Sequence, residues 1–132
     1  MTKRERVERT CGLEPADRPP FVPAVYEHKA ALIGRTPSDV CRNAGLLHEA
    51  LLKELDVYDP DLLTVVLDVY NVEAEALGCR VRFFDDSNDV PAVVSPALKS
   101  GRGLGRLGLP DPQRDGRMPL FLDVARRVIQ EI

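Results

Sequence analysis

Apolar residues fall along this chain in blocks of differing period. Thr2 and Glu5 stand in capping-box spacing ahead of Val7, and Gly12 supplies a stop, so residues 2–11 read as a short helix. The prolines between Glu14 and Pro20 break any continuation. Phe21 to Tyr26 is an extended apolar run and a first strand, with Pro23 marking it as an edge or irregular one. Thr36 as N-cap, Pro37 at N1 and Asp39 at N3 open an amphipathic helix. Val40, Ala44, Leu47, Ala50, Leu51 and Leu55 recur along it at three- and four-residue steps to about residue 56. Asp59-Pro60 closes that region. Leu62 to Leu67 is then nearly all aliphatic between Asp61 and Asp68, the pattern of a strand covered on both faces in a parallel sheet.

Val72 to Leu77 fits a short helix stopped by Gly78. Residues 79–83 alternate apolar against charged, the acidic stretch 85–89 has turn chemistry, and 90–94 returns as a hairpin partner. A Gly/Pro-rich loop fills 95–118, and 119–132 carries Leu120, Val124, Val128 and Ile129 on one helical face. This order of strand, helix, strand, hairpin and helix is that of an α/β fold. Two sheet-core strands alone would leave both edges open. The expectation is therefore the front portion of a larger fold, or a sheet completed by another chain.

Composition narrows the class. The 132 residues are the size of one domain, and 18 Lys and Arg against 21 Asp and Glu leave a net charge of −3. A mildly acidic chain lacks the basic surplus of a nucleic-acid binder. No apolar run is long enough to span a bilayer, and the basic N-terminus has no apolar signal core. Cys11, Cys41 and Cys79 are too scattered for a disulfide scaffold or zinc ribbon, which makes a reducing cytoplasm the expected compartment.

Candidate chemistry is sparse. Gly103 to Gly108 spells G-x-G-x-x-G, but prolines follow and no strand precedes, so a loop is expected instead of a dinucleotide site. His48 lies within the amphipathic helix as a boundary residue. His28 follows the first strand, where α/β folds place functional loops. The sharpest feature is Asp68, directly ending the aliphatic run, with Tyr70, Asn71, Glu73 and Glu75 crowding the same turn. A carboxylate at the carboxyl end of a buried strand could accept hydrogen bonds from substrate; equally, Asp68 could cap a helix whose glutamates are solvated.

Several segments resemble the uroporphyrinogen decarboxylase family: Arg18-Pro19-Pro20 with Phe21-Val22-Pro23, Asp68 before a short acidic helix, Ala76-Leu77-Gly78 with the strand 79–83, Leu109 to Pro112, and Gly116 to Leu120. The resemblance covers nearly the whole chain but about the front third of a family member. It implies the N-terminal part of a (β/α)8 TIM barrel with an inserted hairpin, incomplete as a barrel. Residues 1–20 would be a helical lead, 21–94 two barrel strands with helix and hairpin, 95–118 the loop and 119–132 a helix.

Two chemistries are implied. Decarboxylases of the family remove acetate carboxyl groups from a tetrapyrrole; their relatives move a methyl group from a methylated corrinoid protein to a thiol, using zinc. The resemblance makes Asp68 the catalytic position that receives substrate N–H groups, with His28, Tyr70 and Asn71 lining the same mouth. The decarboxylases' paired arginines after the first strand have no counterpart in Val25 to Ala31. Without such bidentate partners a polycarboxylate is poorly held, which favours the methyltransferase branch. The zinc ligands of that branch belong to a later part of the barrel, so no metal or cofactor is expected on these residues. The lone chain is expected to be inactive. The expected partners are the missing barrel portion or a complementing chain, and a corrinoid protein.

Overall fold

The computed structural model describes residues 1–132, and it is built mainly of helices. Helix α1 (Lys3–Cys11) carries the complete Thr2/Glu5 capping box and ends on Gly12, as the spacing predicts. Helix α2 (His28–Leu32) is an additional turn that the sequence pattern does not announce. The amphipathic segment divides into α3 (Pro37–Val40) and α4 (Ala44–Tyr58). The break has a local cause. Asn43 adopts extended backbone and its side chain accepts from the amides of Gly45 and Leu46, starting a second helix with its own cap. Asp59, in left-handed conformation, ends α4.

Helix α5 (Val72–Ala76) is followed by Gly78 at φ 91°. Strands β1 (Arg80–Arg82) and β2 (Ala92–Ser95) form the expected antiparallel hairpin, with Val81 opposite Val93 and an irregularity beside Arg80. Residues Gly101–Arg106 coil into a 3-10 helix where the sequence suggests only loop. Helix α6 (Met118–Glu131) runs where 119–132 is expected to be helical.

The core lies between α4 and α6. Leu47, Ala50, Leu51 and Leu67 are fully buried there with Val124, and Phe121 and Val128 nearly so. Burying each large aliphatic side chain contributes about 1.5–3 kcal/mol, so this helix pair supplies most of the cohesion.

The two expected barrel strands are not formed as strands. The sole sheet is the β1–β2 hairpin. Runs 21–26 and 62–67 meet at one end only, where the Asp61 amide donates to the Phe21 carbonyl at 2.8 Å and the Asp61 carboxylate accepts from the Phe21 amide. None of the amides from Leu62 to Leu67 donates to another backbone carbonyl. Leu62 is half exposed, and so are Phe21 and Val22. A strand without neighbours has no ladder to satisfy its backbone, which is why the aliphatic pattern does not become sheet here.

What supports the run instead is a side chain. Lys29 of α2, fully buried, donates to the Thr64 carbonyl at 2.6 Å and pairs with buried Glu54 of α4 at 3.1 Å. At the other end Asp61 gathers Arg6 and Arg18, each at 2.6 Å, and Arg6 also grips Asp17. This network ties α1 to the start of the run.

Candidate functional site

Asp68 closes the aliphatic run and is 1% exposed. Its Oδ1 accepts from Asn71 Nδ2 at 2.6 Å, and its Oδ2 accepts from an Arg117 guanidinium nitrogen at 2.7 Å. Asn71, three residues on, is also buried and donates to the Pro91 carbonyl at 2.6 Å, linking the turn to the hairpin. The turn thus places Asp68 and Asn71 side by side, as the sequence suggests.

Arg117 is the centre of the cluster. It stands immediately before α6, donates to Asp68, reaches Glu75 of α5 at 2.5 Å and lies 4.9 Å from the centroid of the Phe83 ring. A further nitrogen points at the Cys41 carbonyl at 3.4 Å. Gly116 permits this approach: its φ is 55°, and a Cβ there would sit 3.0 Å from the Ala76 amide nitrogen. With α6 seated so closely against α5, the next residue reaches both carboxylates.

Burial works against the Arg117 charge, but the bonds to Glu75 and Asp68 outweigh it and its pKa is raised. Cys41 behaves oppositely. Burial pushes its thiol up to about 11, more than nearby Arg117 can offset. It is therefore an uncharged packing residue at neutral pH, not a nucleophile.

The remaining expected residues do not join this cluster. His28 sits at the start of α2 and its Nε2 meets the Tyr58 hydroxyl at 2.9 Å, so the structure gives it a partner on α4 in place of Asp68. Tyr70 is 85% exposed on the Asp68 turn, with its ring in solvent. Glu73 is exposed, whereas Glu75 turns inward to Arg117. His48 faces Glu131 at 3.1 Å, a boundary position as expected. No group of three His, Cys, Asp or Glu side chains is placed to hold a metal ion. The residues present do not fit a zinc site.

Arg117 is the member of the cluster to which the sequence pattern assigns no role. A signal existed. A cation at a helix N-terminus opposes the helix dipole, so an arginine directly before Met118-Pro119 has to be held there by carboxylates from elsewhere.

The cluster therefore offers a buried carboxylate with both oxygens engaged, a buried amide beside it and a guanidinium that fixes them. Such a set positions groups; it has no free nucleophile and no exposed proton carrier. A family model described as uroporphyrinogen decarboxylase (URO-D) matches residues 2–132. No curated protein and no solved structure matches the chain. No helix of the structure is long and apolar enough to cross a membrane.

Proposed function

The chain belongs to the uroporphyrinogen decarboxylase family, and on that premise we propose that it forms the front portion of a barrel that transfers methyl groups from a methylated corrinoid protein to a thiol. The remaining strands would come from the same polypeptide or from a partner chain.

The observation that supports methyl transfer over decarboxylation is the fate of Lys29. It is the only Lys or Arg between Val25 and Ala31. It is fully buried and spent on Glu54 and the Thr64 carbonyl. The stretch that would grip substrate carboxylates thus presents no cation to them. A methyl group on cobalt needs none. The thiol reacts as its thiolate, its proton having passed to solvent; the S–C bond forms as the Co–C bond of the corrinoid substrate breaks, and the electron pair of the broken bond stays on that substrate's cobalt.

In this reading Asp68 orients the substrate through the lone pairs that Asn71 and Arg117 leave on its oxygens, which keep capacity for further donors. Arg117 acts through Asp68 and is a positioning residue. Tyr70, exposed on the same turn, is available to line the mouth. His28 is left to its pairing with Tyr58.

The test uses protein purified from its own cells, with any completing chain retained. It is given methylcobalamin with a thiol such as coenzyme M, and separately uroporphyrinogen. Thioether formation without release of carbon dioxide is the expected result. Carbon dioxide release from uroporphyrinogen would overturn the assignment.

A further inference from the structure

The Asp68 cluster leaves a basic stretch of the chain unused. Between Asp89 and Asp111 the sequence contains no acidic residue, although the chain as a whole is negative. Within that span Lys99, Arg102 and Arg106 all line one concave pocket of about 600 Å³, floored by Leu77 and Gly78 after α5. No acidic side chain lines it. Elsewhere the guanidinium groups of Arg6, Arg18, Arg42 and Arg117 are each matched to carboxylates. Lys99, Arg102 and Arg106 form no ion pair and no side-chain hydrogen bond within the chain.

The pocket is built, not accidental. A Cβ on Gly103 would sit 2.8 Å from Leu98 Cδ2, so Leu98 packs directly on that glycine and holds the 3-10 helix against the loop before it. Leu98 and Leu107 then add apolar wall between the cations. Three like charges lining one pocket without a counter-ion repel one another, and a multiply charged anion relieves that repulsion. The volume is that of a small-molecule site.

We propose that this pocket binds an organic polyanion carrying two or more carboxylate or phosphate groups, held by Lys99, Arg102 and Arg106. Recognition is by side-chain charge. Despite its G-x-G-x-x-G letters the segment is separated from β2 by residues 96–100 and has no α-helix at its start, so it does not present helix amides to a pyrophosphate. All three cations are solvent-exposed, and it is the small-molecule volume of the pocket that favours a small ligand over a macromolecular surface. The inference does not depend on which family chemistry the barrel performs.

Calorimetric titration of the chain at low ionic strength tests it, with citrate, inorganic pyrophosphate, acetate and polyglutamate as probes. Citrate or pyrophosphate is expected to bind saturably, and acetate much more weakly. The tighter of the two identifies carboxylate or phosphate as the preferred group. Arg102→Gln with Arg106→Gln is expected to weaken binding by about tenfold or more, since each charged hydrogen bond lost is worth about a decade. Arg126→Gln with Arg127→Gln removes the same charge from α6 and should leave the affinity unchanged. The proposal fails if neither small polyanion saturates, if the α6 pair weakens binding equally, or if polyglutamate alone binds.

Discussion

Asp68 has each carboxylate oxygen bonded inside the protein, to Asn71 and to Arg117. Replacing it with asparagine keeps the shape but removes the charge facing a buried guanidinium. Arg117 retains Glu75, so the expected loss is about 2 kcal/mol in urea unfolding, not the larger cost of stranding a buried charge outright. Tyr70→Phe alters a ring in solvent and should move stability by less than about 0.5 kcal/mol. Any loss of the proposed methyl transfer in that variant, measured with the completing chain present, then belongs to the site and not to folding. The cysteines separate in the same way. Cys11 is exposed and should alkylate readily with iodoacetamide at mildly alkaline pH. Cys41, buried with its thiol raised to about 11, should stay unmodified when the labelled protein is weighed by mass spectrometry. At this scale the sequence was informative where interactions are local. The Thr2 and Thr36 caps and the Asp68–Asn71 pair lie three residues apart or fewer and were legible. The Asp68–Arg117 bond spans 49 residues, and no spacing rule reaches that far.

Elements depend on two buried charge clusters. Lys29 and Glu54 join α2 to α4 beneath the aliphatic run, and burial pulls the lysine's pKa down against the pull of Glu54. Lys29→Met leaves Glu54 buried without its partner and is expected to cost about 3–5 kcal/mol. Adding Glu54→Leu should recover much of that loss; a double variant as unstable as the single one would show that the lysine's bond to the Thr64 carbonyl matters more. The Asp61 cluster gives a pH dependence. Bonds from Arg18, from the Phe21 amide and from Arg6 hold Asp61 at about 2, below its ordinary value. Its stabilising contribution is therefore complete above about pH 4, and it is lost as pH falls towards 2. Asp61→Asn should flatten that limb of the acid unfolding curve followed by circular dichroism. Helix α1 was legible from its capping box, α6 from its apolar period, and the hairpin from its alternation and acidic turn. The division of α3 from α4 was not, because the apolar period runs straight through Asn43 and conceals its side-chain cap.

Across the whole molecule the decisive feature is an aliphatic run without a sheet. Leu62 to Leu67 has the composition of a strand covered on both faces, and its amides donate to no carbonyl of the chain. Helices pack on one side of it: α4 lies against α6, and α2 supports the run through Lys29. The run's open side meets no second strand. The open edges were legible in the sequence, since two strand-like segments cannot shield one another, but both runs read there as strands, which the structure does not form; the barrel itself is the family's expectation. Hydrogen–deuterium exchange on the 132-residue chain measures the point directly. The amides of Val65 to Leu67 are expected to exchange far faster than those of Leu47 to Leu51 in α4. Protection across Leu62 to Leu67 equal to that of α4 would contradict it.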